Sequence, residues 1–265
     1  METIAYIASA LIGISLGLIG GGGSILTVPV LVYLFGISPI LSTSYSLFIV
    51  GSTSLVGAIS NYRKGLVSIK TALLFGLSSI TTVFITRKYL IPLIPDHLFT
   101  IGGFTLTRNI VTMVLFAVLM IVAASAMIRS GNKTEPNNTP EKELHIPKLL
   151  ITGIAIGLAT GILGAGGGFL LIPTLVLLVG LPMKEAIGTS LLIIALNSLI
   201  GFTGDIGHFQ INWIFLLKIT TIAISGIFAG GALSRKINGQ KLKKGFGWFV
   251  LMMGSYIIIK ELILK

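Results

Sequence analysis

Residues 17–29 read GLIGGGGSILTVP and residues 161–173 read GILGAGGGFLLIP, so one run of glycine and apolar residues occurs twice, 144 positions apart. Gly17, Gly20, Gly22, Gly23, Leu26 and Pro29 recur in register. The match continues with Gly36 on Gly180, Ser46 and Leu47 on Ser190 and Leu191, Ser54 and Leu55 on Ser198 and Leu199, and Gly57 on Gly201. Beyond Ile69 and Trp213 it fades. Such a repeat means one structural unit used twice. It also places four consecutive glycines where helix is otherwise expected, although each weakens a helix interior by about 1 kcal/mol.

The surroundings of these glycines are a bilayer. With 54% hydrophobic residues, 10% charged residues and a mean hydropathy of +1.00, the chain carries more apolar surface than a soluble domain of 265 residues can hide. A net charge of +11 raises the question of nucleic acid, but the Lys and Arg residues stand in short groups between apolar runs and form no continuous basic face. No nucleic-acid partner is expected. Cysteine is absent, which excludes a disulfide framework and a thiol nucleophile. Glu2 and the lack of a basic start to METIAYIASALIGISLG speak against a cleaved signal peptide, so this stretch is expected to be the first membrane segment.

A crossing takes about 20 apolar residues. Three segments of the first half, 39–60, 66–86 and 108–128, meet that length, and two shorter pieces, 4–19 and 24–35, flank the glycines. The polar stretch 129–147, RSGNKTEPNNTPEKELHIP, divides the chain into a first membrane repeat (1–128) and a second (148–265). If each short pair is a re-entrant hairpin or two thin crossings, each repeat has an odd number of spans. Twelve Lys and Arg then gather on one face and five on the other, the five being Arg87, Lys88, Arg108, Lys260 and Lys265. One kinked crossing per pair would give parallel repeats and a weaker bias. The expected fold is therefore an all-α polytopic membrane protein of two inverted-topology repeats, each with a glycine-interrupted helical pair and three full spans. The linker is expected in the cytoplasm and both termini outside the cell membrane.

Inverted repeats with matching glycine interruptions point to a transport site at the bilayer midplane. Irregular backbone survives there only against protein or a water-filled cavity. Each run leads into a short helix, expected to begin at Ser24 and at Gly168 or Phe169, whose free N–H groups favour an anion. Gly20, Gly21, Gly22, Gly23 and Ser24 in one copy, and Gly164, Gly166, Gly167 and Gly168 in the other, are the main-chain candidates. Pro29 and Pro173 lack an N–H and free a carbonyl nearby. Hydroxyls and amides can complete the site, because they cost less in a membrane than a charge. Ser46 with Ser190 and Thr53 with Asn197 form symmetric pairs, and Thr189 stands beside them. Each hydroxyl has the alternative of bonding back to its own helix. The Asn197 amide needs a partner outside it.

No Asp or Glu falls in the centre of a predicted span, and His97, His145 and His208 fall in loops, so a proton relay through the core is not expected. Asp205 and His208, near one mouth, are the candidates for ion coupling. GISLG (13–17) satisfies the G-x-S-x-G pattern of serine hydrolases, but no histidine lies in a span to activate Ser15. Neither a nucleotide fingerprint nor another cofactor pattern accompanies the glycines.

At these residues the chain resembles the TauE/SafE sulfite exporter family. The resemblance is carried by both glycine runs leading to VP or IP, by the glycine of LFGIS and LVGLP, by STSYSL and GTSLL, and by GLVSI and FQINW. It implies a multi-pass permease for small anions such as sulfite, sulfonates or thiosulfate, working by alternating access; whether it is a monomer or a homodimer is left open by the sequence. An anion channel and a carboxylate uptake permease are the alternatives. Ser24 against Gly168 and Tyr45 against Thr189 make the two half-sites unequal.

Overall fold

The computed structural model describes residues 2–95, 97–101, 104–130, 146–164, 166–233 and 239–262. The first copy runs α1 (Glu2–Ile19), a 3-10 turn (Gly20–Leu26), α2 (Thr27–Tyr33), α3 (Pro39–Tyr62), α4 (Ile69–Leu93), a hairpin of β1 (His97–Ile101) and β2 (Phe104–Thr107), and α5 (Arg108–Ser130). The second runs α6 (Ile146–Leu163), α7 (Gly168–Thr174) with a π turn (Leu175–Val179), α8 (Met183–Asp205), α9 (Trp213–Leu233) and α10 (Gly239–Leu262). Each helix of the first copy thus has its counterpart five labels later. Among the described residues five helices, α3, α4, α5, α8 and α9, are long and apolar enough to cross a membrane. Most of the divider at 129–147 lies outside the described residues.

Three local features differ from the sequence reading. The helix at 66–86 does not stop there but continues to Leu93 through a π turn at Thr86–Leu90. Pro92 cannot donate to the carbonyl of Lys88, so the ladder loosens one turn earlier, and the N–H of Ile91 reaches back to Thr86. β1 and β2 pair antiparallel over His97–Ile101 and Phe104–Thr107, so His97 sits in a strand and not in a loop. Finally, α2 starts at Thr27, because Ser24 is already inside the 3-10 turn. Residues without a Cβ tolerate the three-residue turn that crowds other side chains.

The packing exchanges the two copies. α1 runs parallel to α9, with Gly13 against Ala223 and Gly17 against Ile227; α6 runs parallel to α4, with Gly157 against Ser79 and Gly161 against Thr86. Both contacts keep the 144-residue offset, so the register persists where the sequence match has faded. α3 crosses its own counterpart α8 antiparallel, through Leu47 on Gly201, Gly51 on Leu199 and Gly57 on Leu191. These two are the most enclosed spans, 72% and 67% buried against 39–44% for the other three. Small residues hold the seams because lipid offers no hydrophobic drive between helices, and close backbone packing must supply the attraction. Outside the seams, Leu73, Leu77, Ile151, Ile214, Phe228 and Met252 are more than half exposed and form a lipid-facing belt.

Candidate functional site

The glycine turns meet at the centre of the molecule. Gly20, Gly164, Gly166 and Gly167 all have φ between +65° and +68°, a region costly for residues with a Cβ. These residues break α1 from the 3-10 turn and α6 from α7. A Cβ on Gly20 would strike Ile187 of α8, and one on Gly164 would strike Thr43 of α3, the position 144 residues before Ile187. Gly23 backs onto Ser15 and Leu16, while Gly167 backs onto Thr160 and Ile156. A Cβ on Gly166 would lie 2.9 Å from Ile194 and Val50, the middle residues of α8 and α3, and 3.1 Å from Ser198 Oγ. The second turn therefore touches the midpoints of the two most buried spans, and Gly21 of the first turn meets Ile194 as well. The main chains of Gly21 and Gly168 lie in direct contact, so the turns are closed on each other in this conformation. Gly22 lies within the 3-10 turn.

The polar candidates divide into satisfied and unsatisfied groups. Ser24 Oγ donates to Gly21 O at 2.7 Å, Thr53 Oγ1 to Ile49 O at 2.6 Å and Ser190 Oγ to Ile187 O at 2.9 Å, all within their own local turns. Thr189 Oγ1 accepts from the Ser68 N–H at 2.9 Å and ties α8 to the loop before α4. Asn197 Oδ1 accepts from Ser79 Oγ at 3.0 Å, whereas its Nδ2 finds no protein acceptor. The buried hydroxyls of Ser46, Ser54, Thr160 and Ser198 likewise find no protein partner. Thr160 and Ser198 line the second glycine turn, and Ser54 is the counterpart of Ser198 on α3.

Sequence reasoning missed Arg87. Assigned there to an exposed face, it is fully buried on the π turn of α4, while its neighbour Lys88 is exposed and lies over the Phe84 ring. Its Nη1 donates to Asp205 Oδ2 at 3.2 Å and to Thr43 Oγ1 at 3.1 Å; Nε and Nη2 meet no protein acceptor. The signal was available, because 72, 76, 79, 83 and 87 form one inward stripe at helical spacing. Asp205 is correspondingly not paired through its side chain with His208. The exposed His208 uses its main-chain N–H to bond Asp205 O at 3.1 Å.

A cavity of about 230 Å³ adjoins this cluster, walled by Ile40, Thr43, Ile91, Arg108, Thr112 and Ile162. Drug-sized pockets run from ~300 to 1,000 Å³, so this space suits a small solute. Arg108 Nη1 donates to Ile91 O and Ile94 O, fixing a second guanidinium in the wall. Thr43 is shared: it faces the cavity, bonds Arg87 and abuts Gly164.

Residues 5–257 match the family model described as sulfite exporter TauE/SafE. The chain is 29% identical over 256 residues to a probable membrane transporter protein of Xylella fastidiosa (strain Temecula1 / ATCC 700964), covering 95% of this chain and 92% of that one. It is 26% identical over 277 residues to the probable membrane transporter protein YunE of Bacillus subtilis (strain 168), covering 97% and 98%. A probable membrane transporter protein of Methanocaldococcus jannaschii, MJ0441, is 33% identical over 120 residues, 43% and 45% of the two chains. No solved structure matches. The hydrolase reading of GISLG falls away, since these relatives are named as probable membrane transporters and Ser15 Oγ donates to Ile12 O at 2.8 Å within its own helix. The match across both copies of the glycine signature means that this chain belongs to the sulfite exporter TauE/SafE family and is a membrane transporter.

Proposed function

We propose that the chain is a permease for small oxyanions, with sulfite as the first substrate to test, and that the solute is held where the two glycine turns meet α3 and α8. One observation carries this reading: the Ser46, Ser54, Thr160 and Ser198 hydroxyls and Asn197 Nδ2 are buried with no protein partner, and two of them, Thr160 and Ser198, lie against the second glycine turn. Leaving a buried polar group unpaired costs about 1–3 kcal/mol, so five of them together suit a core that receives a ligand better than one that only holds itself together. The family description supplies sulfite as the example.

The closed contact of Gly21 on Gly168 is then one state of an alternating gate. The antiparallel crossing of α3 and α8, and the exchange of partners between α1–α9 and α6–α4, support two inverted repeats, 1–128 and 148–265, rocking against each other around that point. In this arrangement the linker 129–147 faces the cytoplasm and both termini face outward. Outward movement of an anion needs no proton relay, because an inside-negative potential contributes ~2.3 kcal/mol per charge per 100 mV.

Flux in proteoliposomes tests the reading. Sulfite uptake should saturate with concentration and accelerate when sulfite is loaded on the far side, as a carrier requires. Flux that rises linearly, with no stimulation from the far side, would make the protein a channel. The absence of flux for sulfite, thiosulfate, sulfonates and simple carboxylates alike would end the anion proposal.

A further inference from the structure

We propose that Arg87 is an oxyanion ligand on the transport path, gripping two oxygens of the solute through its Nε and Nη2 edge while Nη1 stays tied to Asp205 and Thr43. This rests on the small-anion reading above and names the residue that makes the protein prefer oxyanions to halides. A guanidinium carries five N–H donors in a rigid fork. Here the nitrogen bonded to Asp205 and Thr43 is one of three, and the other two, fully buried, face no protein acceptor. The bonds at Nη1 fix the plane of the group, so its opposite edge is preorganised to meet two oxygens at once. Thr43, which holds Nη1, adjoins both the Arg108-walled cavity and Gly164, so the guanidinium is anchored to a residue shared by the cavity and the second glycine turn.

The bland alternative is that Arg87 only neutralises Asp205. The duplication argues against it. The contact of Gly161 on Thr86 repeats as Gly17 on Gly230, which makes Gly231 the counterpart of Arg87. By the same offset Asp205 corresponds to Asn61, and Thr43 to Ile187. The other copy builds the same helices with no charge at these positions, so the fold does not require the pair. A charged cluster in one copy alone of a duplicated fold fits a demand made by the solute better than one made by the fold.

The test measures equilibrium binding of sulfite, with chloride as competitor, on purified wild type, on the double variant Arg87→Gln/Asp205→Asn and on Arg87→Lys. The double variant removes both charges together, which keeps it from stranding a lone buried carboxylate. Size-exclusion profile and helical circular dichroism report that each variant is folded. The double variant should lose roughly tenfold to a hundredfold in sulfite affinity, as expected for charge-assisted hydrogen bonds. Arg87→Lys, which keeps the charge and loses the fork, should weaken sulfite more than chloride. A folded double variant that binds sulfite like wild type, or an Arg87→Lys protein with unchanged preference for sulfite over chloride, overturns the role of Arg87 and leaves the anion reading standing. If wild type binds neither anion, the anion reading itself fails and Arg87 falls with it.

Discussion

At the scale of single residues, contacts separate glycines that close the site from glycines that only turn the chain. A Cβ on Gly168 would run into the backbone of Gly21 without any conformational strain, whereas Gly36 has φ of +67° and open space around it. Gly168→Ala is therefore expected to cost about 3 kcal/mol or more through overpacking. Gly36→Ala should cost only about 1–2 kcal/mol, for the left-handed backbone. Thermal unfolding in detergent checks the order, and equal losses would mean that the two turns are not in contact. The sequence already singled out Gly168, because an interruption copied at a fixed offset is visible without a structure. It could not show that Gly168 meets Gly21, since that pairing depends on how the repeats dock. Arg87 went unseen for a related reason: the hydropathy of the span ends at Ile85, yet the inward stripe continues one turn further to the guanidinium. Thr53 and Ser190 show the opposite limit, because a hydroxyl at a symmetric position reads the same whether it serves a ligand or bonds back to its own turn.

At the scale of helices, the long spans were legible from apolar length, and α3, α5 and α8 begin within a residue or two of the turn residues that announce them. Their partners were not legible. Packing α1 on α9 rather than on a neighbour in its own repeat follows from glycines facing backbone, such as Gly226 on Ala10 and Gly230 on Ile14, and a sequence does not state which glycine seams match. The hairpin at 97–107 was also missed, because two short strands around Gly102 and Gly103 give too brief an alternation to stand out in an apolar chain. With Arg87 buried, the positive residues left on the less basic face fall to Lys88, Arg108, Lys260 and Lys265, which sharpens the expected orientation. The chain has no cysteine, so a single Asn137→Cys change in the linker reports its side cleanly. A membrane-impermeant maleimide should leave this thiol unlabelled in intact cells and label it once they are opened. Labelling in intact cells would invert the topology.

At the scale of the whole molecule, the duplicated fold brings both glycine breaks to the midpoint of α8, one of them also to that of α3, and buries beside them donors that the protein does not use internally, Thr160 and Ser198 among them. Asn197 Oδ1 already ties α8 to Ser79 of α4, but its Nδ2 and the Ser198 hydroxyl meet no protein partner, and a ligand is the reason offered for burying these two groups. The most direct measurement is equilibrium binding of sulfite to purified wild type and to a folded Asn197→Ala/Ser198→Ala variant. The account predicts saturable binding to wild type and a loss of roughly tenfold or more in the variant, the effect of removing hydrogen bonds to a charged solute. Wild-type affinity in the variant would contradict the placement of the solute at the meeting point of the two turns.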